Sequence, residues 1–198
     1  LGLDPVRQRK QLAYEIGTVF GQKEQLWTHL TPYDNFCFFG AIYDIPGGEM
    51  KKRITELSDT FALGAVINTP VRNLSLGQRI RFEIVASLIH RPKILFLDEP
   101  TIGLDPLVKE NIRSLILQMN HEFQSTIFLT SHDTGDIEKL CRRIIIVNNG
   151  QIVLNDSMTN LKANYLNKKI VENIVLSPPL EDIITEIYRS EGRSGEPS

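Results

Sequence analysis

The sequence predicts an α/β fold built on a mostly parallel sheet. Two observations indicate it: short apolar runs that end at turn residues, and longer stretches between them in which apolar residues recur at helical spacing. The clearest apolar run covers residues 93–97, between Pro92 and Pro100. This pattern is typical of a parallel strand that is covered on both faces. Similar runs at residues 15–20 and 125–130 predict two more strands, the second of them also buried.

The composition is that of a globular domain. The chain has 198 residues, of which 41% are hydrophobic, and this is enough for one compact domain with its own core. Its 22 basic and 24 acidic residues leave a net charge of -2, so no overall field draws the chain to nucleic acid or anionic lipid. No apolar stretch is long enough to span a bilayer, and we therefore expect any membrane role to come through a partner. Cys37 and Cys141 lie far apart without metal-ligand spacing, which indicates reduced thiols in a cytosolic compartment.

Two adjacent carboxylates, Asp98 and Glu99, follow the run at residues 93–97. The carboxyl ends of parallel strands are where α/β proteins place ligands, and acids buried there need a role that offsets their desolvation. We expect that role to involve Mg²⁺ and water. Asp98 would hold the metal ion of a nucleoside triphosphate through its water shell, and Glu99 would orient the water that attacks the γ-phosphate.

A helix start lies upstream of these acids, at Ser75 and Gly77. The stretch that follows has apolar residues at helical spacing, namely Ile80, Ile84, Val85, Leu88 and Ile89. Ser75 is therefore a candidate N-cap, and with Gly77 it offers backbone N–H groups and the positive end of the helix dipole to a phosphate. From this motif alone, an ordinary helix cap is an equally open interpretation.

The order of these motifs, with the loop Gly103-Leu104-Asp105 after the acids, resembles the ATPase domain of ATP-binding-cassette (ABC) proteins. The resemblance implies a P-loop NTPase-like core with a helical subdomain, and ATP and Mg²⁺ as cofactors. It divides the chain, as a partial ABC ATPase domain, into a Q-loop region (1–30), the helical subdomain (31–75), the signature helix and catalytic core (76–155), a C-terminal extension (156–190) and a tail (191–198).

The family's phosphate loop, G-x-x-x-x-G-K-[ST], is absent from residues 1–198, which contain no Gly-Lys pair. In the family this loop lies upstream of the region where the chain begins, so we expect the domain to be incomplete at its N-terminus. The alternative is a non-catalytic, cassette-derived binding module. In either case we expect residues 1–198 alone to hydrolyse ATP negligibly.

The resemblance also implies roles for individual residues. Gln22 would be the Q-loop glutamine, whose amide reaches the metal ion and the attacking water when ATP is bound. Ser75, Gly77 and Gln78 belong to the signature turn, which closes over the γ-phosphate held by a second ATPase subunit. Leu76 stands in that turn where many members have glycine, and we expect a modest cost because the backbone donors are unchanged.

Two further residues follow the acidic pair along the chain. Asp105 would lie in the D-loop, where two such domains meet in a dimer; it could equally be the N-cap of a helix over residues 107–122, and both roles are compatible. His132 follows the run at residues 125–130 and resembles the family's H-loop histidine, which can hydrogen-bond the γ-phosphate. The remaining histidines are interpreted as surface or packing residues: His29, His90 and His121.

The helical pattern of residues 35–62 is interrupted at Pro46-Gly47-Gly48. The two helices are expected to bury one face each, the first through Phe36, Phe39 and Ile42, and the second through Met50, Ile54, Leu57 and Phe61. Four aromatic residues either form a groove for a helix of a membrane partner or belong to the core: Trp27, Phe38, Phe39 and Tyr43.

Asn149-Gly150 lies between two β-branched runs and predicts a β-hairpin. The pattern beyond it predicts a helix at residues 157–166, a strand at 170–176, a break at Pro178-Pro179 and a helix at 180–188, followed by the polar tail.

The segments Gly21–Trp27 and Leu30–Asn35 most resemble the ATPase subunits of ABC-2-type bacterial exporters. The resemblance therefore implies an ATP-hydrolysing subunit that energises an exporter at the cytoplasmic face of the membrane. Its partners would be transmembrane permease subunits and a second ATPase subunit, without direct contact to nucleic acid. The alternative of another class is a soluble ABC ATPase that works on DNA or ribosomes. The segment between Gln22 and Ser75 is short and lacks a sustained heptad, which favours the transporter type.

Overall fold

The computed structural model describes residues 1–21, 23–170 and 184, without the side chains of residues 165–170. The chain divides into two compact units, Leu1–Ser131 and His132–Ser198. Within the described segments, no helix has both the length and the apolar composition that crossing a bilayer requires. The finer division of the chain at residues 30, 75, 155 and 190 stays a prediction.

The first unit is built around a parallel sheet. Its elements in chain order are α1 (Arg9–Glu15), β1 (Ile16–Phe20), α2 (Pro32–Ile42), α3 (Gly47–Thr60), a 3₁₀ turn (Val71–Asn73), α4 (Leu76–Ala86), β2 (Ile94–Asp98), α5 (Pro106–Phe123) and β3 (Thr126–Thr130). The strands lie in the order β1-β2-β3, with Thr18, Phe96 and Phe128 side by side in the register. The predicted α/β fold with a parallel sheet is therefore confirmed.

Only one face of this sheet is buried by the described residues. Leu95 and Leu97 of β2 are 0% and 1% exposed. On the opposite face, Phe96 and Phe128 are 39% and 54% exposed, and their ring centroids lie 5.6 Å apart. This face therefore presents aromatic surface to solvent.

Two predictions about burial are wrong for this reason. The run at residues 93–97 is not covered on both faces, and the strand predicted over residues 125–130 has every second residue of β3 exposed. Parallel sheets are buried on both faces only where another element packs on each of them. The described residues place no element over Phe96 and Phe128.

The two helices predicted over residues 35–62 are confirmed as α2 and α3. A capping box between Thr31 and Asp34 starts α2, and Phe36 is fully buried. The predicted burial of Ile42 is wrong: it is the last residue of α2 and is 53% exposed. The apolar face of the second helix is buried as predicted, through Met50, Ile54 and Leu57 of α3 and Phe61 at its C-terminal end.

The helices on either side of β2 differ from their predictions only at their ends. α4 ends at Ala86, so Leu88 and Ile89 lie in the turn that follows it, although both are buried. α5 confirms the helix predicted over residues 107–122. It ends at Gln124, whose φ of 52° is the left-handed conformation that commonly terminates helices.

The second unit contains a hairpin between two helices. Its described elements are α6 (Thr134–Leu140), β4 (Arg143–Asn148), β5 (Gln151–Ser157) and α7 (Met158–Ile170). β4 and β5 are antiparallel, and the positive φ angles of Asn149 and Gly150, 47° and 77°, confirm the predicted turn. Its small apolar core consists of Ile144, Ile146, Met158 and Leu161.

The C-terminal predictions are tested only in part. α7 extends past the predicted helix at residues 157–166 to Ile170, so the strand predicted over 170–176 is wrong at its first residue. The remainder of that strand lies outside the described residues, as does the break at Pro178-Pro179. The same holds for the tail and for the helix at 180–188, except that Ile184 is helical.

Asn35 of α2 anchors the segment that leads into this helix. Its Oδ1 accepts the N–H of Trp27 at 2.8 Å, and its Nδ2 donates to the carbonyl oxygens of Trp27 and Thr31 at 3.2 and 2.9 Å. The residue is fully buried, so water does not compete for these bonds.

We expect Asn35→Ala to lower the free energy of unfolding by about 2–4 kcal/mol, because it removes three hydrogen bonds and leaves their backbone partners unsatisfied. Urea denaturation of the complete gene product, followed by circular dichroism, measures this loss. The control is Asn73→Ala, an exposed residue of the 3₁₀ turn. Equal losses in the two variants would contradict the anchoring role of Asn35.

Candidate functional site

The predicted acidic pair lies at the carboxyl end of β2. The hydroxyl of Thr130, at the end of the neighbouring β3, donates to Oδ1 of Asp98. The N–H of Glu99 donates to the carbonyl oxygen of Thr130 at 3.0 Å, and Glu99 has a φ of 51°, a conformation that costs a non-glycine residue about 1–3 kcal/mol. The backbone thus turns sharply at Glu99, and both neighbouring strand ends hold it there.

The burial expected for these acids is wrong within the described residues. Asp98 is exposed and Glu99 is partly exposed. The desolvation argument for their role therefore does not apply to this structure. Their geometry still supports a functional role. The two carboxylates lie at one edge of the sheet, and the backbone is strained at Glu99, directly after β2.

Gly21 brings the predicted Q-loop segment against this pair. It follows β1 directly, and its N–H donates to the carbonyl oxygen of Asp98 at 2.8 Å. A Cβ at this position would lie 2.0 Å from the carbonyl oxygen of Glu99. Only glycine allows this approach of the two backbones. Gln22, the next residue, lies outside the described residues, and its contact with metal ion and water stays a prediction.

Ser75 is the N-cap of α4, as one of its two interpretations required. Its Oγ accepts the N–H of Gln78 at 3.2 Å, and the side-chain oxygen of Gln78 accepts the N–H of Ser75 at 3.0 Å. Both residues are exposed. The cap leaves a solvent-facing helix N-terminus, so the phosphate contacts of Ser75, Gly77 and Gln78 stay predictions that this geometry permits.

Gly77 has a packing role that the sequence did not reveal. A Cβ there would lie 2.4 Å from Cγ1 of Val108, in the first turn of α5. Asp105 caps that helix, because its Oδ1 accepts the N–H groups of Leu107 and Val108, each at 3.1 Å. The signature turn and the Asp105 loop are therefore neighbours in the first unit. The capping role of Asp105 is confirmed, and its role in a dimer stays a prediction.

His132 is the first residue of the second unit, two residues after the end of β3. Its contact with a γ-phosphate stays a prediction. His90 is a packing residue, as expected: its ring stacks on Tyr43 with centroids 3.9 Å apart, and it hydrogen-bonds the carbonyl oxygen of Ile16 at 2.8 Å.

The four aromatic residues predicted to form a groove or part of the core differ in exposure and in their contacts. Trp27 and Phe38 are 55% and 36% exposed, and their ring centroids lie 4.5 Å apart. Phe39 contacts Phe38 edge-on, at 6.1 Å. Tyr43 instead packs between His90 and the edge of the Tyr14 ring. We call the exposed pair Trp27 and Phe38 the aromatic patch.

Glu83 is a candidate functional residue that the sequence reasoning missed. It lies in the buried part of α4, is 3% exposed, and its Oε1 accepts the N–H of Gln25 at 3.3 Å. One turn earlier on α4, Arg79 forms an ion pair with Glu24. The available signal was an acid between the apolar residues Phe82 and Ile84, which is unusual on a core-facing helix.

The described residues contain no group of three or more His, Cys, Asp or Glu side chains arranged to hold a metal ion. The carboxylate of Asp98 nevertheless fits Mg²⁺, which prefers hard oxygen ligands and takes most of its shell from water and phosphate oxygens. Asp98 and Glu99 together can hold a hydrated cation and accept a hydrogen bond from water.

Comparison with known proteins finds ABC transporter proteins both by family profile and among individual relatives. A family profile described as ABC transporter matches residues 3–102. The ABC transporter ATP-binding protein NatA of Bacillus subtilis is 33% identical over 160 residues, which are 81% of this chain and 65% of that protein. The linearmycin resistance ATP-binding protein LnrL of the same organism is 35% identical over 147 residues, which are 74% of this chain and 47% of that protein.

A third relative is the energy-coupling factor transporter ATP-binding protein EcfA2 of Clostridium perfringens. It is 28% identical over 181 residues, which are 91% of this chain and 62% of that protein. The chain therefore spans less than two thirds of the length of each of these three relatives.

Solved structures share the fold. The structure of cbiO1 from Clostridium perfringens, described as part of the ABC transporter complex cbiONQ, has a TM-score of 0.72 at 28% identity, covering 89% of this chain and 69% of that chain. An ATP binding subunit of an ABC transporter has a TM-score of 0.73 at 19% identity, covering 94% and 74%, and this likeness shows the fold alone.

We expect Gly21→Ala to lower the free energy of unfolding by about 1–3 kcal/mol, because the added Cβ meets the backbone of Glu99, which cannot rotate away as a side chain can. Urea denaturation of the complete gene product measures the loss. Gly48→Ala is the matched control, since a Cβ there meets nothing within 4 Å. Comparable stability of the two variants would show that the close approach is dispensable.

The stability of the protein should also depend on the protonation of Glu83. Burial raises the pKa of the Glu83 carboxyl from 4.5 to about 7, although the N–H of Gln25 and the charge of Arg79 act in the opposite direction. The folded state thus keeps a proton that the unfolded chain releases at lower pH. The resulting stabilisation is complete below about pH 4.5 and is lost as the pH rises through about 7.

Relative to Glu83→Gln, which does not titrate, we expect the wild type to lose unfolding free energy between about pH 5 and pH 7. Urea denaturation of both proteins at matched pH values measures the difference. Parallel pH profiles would exclude a titration of Glu83 in this range.

Proposed function

The chain belongs to the ABC transporter family, and from this premise we propose that it is part of an ATP-hydrolysing subunit that drives transport across a membrane. The observation that carries the proposal is the arrangement at the end of β2. There Asp98 and Glu99 lie side by side, with the backbone of Gly21 packed against them. Two acids beside the backbone of Gly21 form an arrangement suited to hydrolysis of the terminal phosphoanhydride of ATP.

Each of these groups has a distinct part in the proposed reaction. The carboxylate of Glu99 orients the attacking water and accepts its hydrogen bond, and the strained turn at this residue sets the direction of the side chain. Asp98, held by the hydroxyl of Thr130, is the candidate ligand for hydrated Mg²⁺. When bound with ATP, Mg²⁺ would neutralise the phosphate charge that develops during transfer.

The remaining roles proposed for this chain require a second ATPase subunit. Ser75 and Gly77 would close over the γ-phosphate held by that subunit, and the solvent-facing N-terminus of α4 supports this assignment. Gln22 would contact the metal ion and the attacking water, and His132 would hydrogen-bond the γ-phosphate. Asp105 would lie at the contact between the two subunits.

The phosphate loop itself would come from polypeptide outside residues 1–198. Two observations support this part of the proposal. The face of the sheet that carries Phe96 and Phe128 is exposed, although parallel sheets are normally covered on both faces. The relatives are also longer than the part that this chain matches.

The proposed membrane partner is a permease with which the aromatic patch makes contact. Trp27 and Phe38 form adjacent exposed apolar surface, which suits the apolar side of a partner helix. The subunit would then be peripheral, at the cytoplasmic face of the membrane. Export is favoured by the resemblance of residues 21–35 to ABC-2-type exporters. The relatives include both a resistance protein and an energy-coupling factor transporter, so their names alone do not decide the direction.

The test is steady-state ATPase activity of the complete gene product. We expect activity that depends on Mg²⁺ and a fall in kcat of at least about a hundredfold in Glu99→Gln, because the amide cannot act as a base towards water. The control is Asp59→Asn, an exposed acid on α3, which should leave kcat unchanged. Residues 1–198 alone should be inactive.

Two outcomes would overturn the proposal. Equal activity of Glu99→Gln and wild type would remove the proposed role of Glu99. A complete gene product without any ATPase activity would indicate a cassette-derived binding module instead.

A further inference from the structure

Glu83 is a buried acid that the proposed reaction does not use. It lies within α4, and its neighbours Phe82 and Ile84 are 1% and 0% exposed. A carboxylate in such surroundings is costly unless it is hydrogen-bonded. The partner of Glu83 is the backbone N–H of Gln25, at 3.3 Å.

Arg79 makes a second contact with the same segment. It precedes Glu83 by one helical turn, and its guanidinium pairs with Glu24, the residue before Gln25. Consecutive residues of the segment are thus held by side chains at i and i+4 of one helix, which lie on the same face.

The segment that α4 holds connects three parts of the molecule. At its start, the N–H of Gly21 donates a hydrogen bond to the carbonyl oxygen of Asp98 at the end of β2. At its end, the N–H of Trp27 donates a hydrogen bond to Oδ1 of Asn35 in α2. Between these two points, Glu24 and Gln25 are fixed to α4, whose first turn carries the cap at Ser75.

We propose that Glu83 is a positioning residue that ties the segment following Gln22 to α4, so that this segment and the helix N-terminus at Ser75 move as one body. The proposal rests on the function proposed above. Glu83 contacts neither nucleotide nor water in this scheme. It acts through the backbone of Gln25 and thereby keeps this segment, which begins beside the turn at Asp98-Glu99, in a fixed position relative to the signature turn.

The substitution Glu83→Leu tests the proposal, because leucine fits an apolar site but cannot accept a hydrogen bond. We expect it to remain folded, because the loss of the buried carboxyl partly offsets the unsatisfied N–H of Gln25, and to lower kcat at least about tenfold with less than about a threefold change in the KM for ATP. Glu83→Gln keeps an acceptor for the N–H of Gln25 and should stay within about twofold of the wild-type kcat. A purely structural role would make activity follow stability in both variants.

A second measurement does not depend on catalysis. Amide hydrogen exchange of the peptide that contains Gln25, measured by mass spectrometry on the complete gene product, should be at least about tenfold faster in Glu83→Leu and unchanged in Glu83→Gln. The control is Glu122→Leu, an exposed glutamate on α5. If Glu83→Leu does not fold, Glu83→Met replaces it, since methionine is closer to glutamate in shape, is at most a weak hydrogen-bond acceptor and should also accelerate this exchange.

The two proposals fail in different ways. If the wild type hydrolyses no ATP, the proposed function is wrong. Hydrogen exchange still tests whether Glu83 holds the backbone of Gln25. A stable Glu83→Leu with wild-type kcat and unchanged exchange at Gln25 would overturn the positioning role. Unchanged exchange in Glu83→Met would overturn it as well where that variant is the one measured.

Discussion

The backbone contact between Gly21 and the turn at Asp98-Glu99 is the constraint on which the rest of the site depends. It joins the ends of β1 and β2 at a distance that only glycine permits, since a Cβ would lie 2.0 Å from a carbonyl oxygen. The segment after Gly21 must therefore begin beside the two carboxylates. Glu99 contributes to the same contact. Its positive φ turns the chain away immediately after β2.

Helix α4 links the segment after Gly21 to other elements of the first unit. Its N-terminus is closed by the Ser75–Gln78 capping box, and Gly77 allows it to pack against the first turn of α5 at Val108. Its middle holds Gln25 through Glu83. One rigid helix of 11 residues thus contacts the segment after Gly21 and the helix capped by Asp105.

Two exposed aromatic surfaces have different physical origins. Phe96 and Phe128 lie on a parallel sheet, an element that is normally covered on both faces, and their exposure reflects the absence of a covering element among the described residues. Trp27 and Phe38 lie at the surface of a helical region whose own core, through Phe36 and its neighbours, is already complete. The first surface is therefore an uncovered sheet face, and the second is an exposed pair of aromatic side chains on a separate part of the unit.

The sequence by itself determined the features that depend on near neighbours in the chain. The caps at Ser75 and Asp105 and the turn at Asn149-Gly150 follow from hydrogen bonds over two or three residues and from the φ angles that each residue tolerates. Only the tertiary structure decided burial. Ile42 and Phe96 are apolar but exposed, whereas Glu83 is ionisable but buried, because burial depends on which distant element packs over a residue and not on the residue's own pattern.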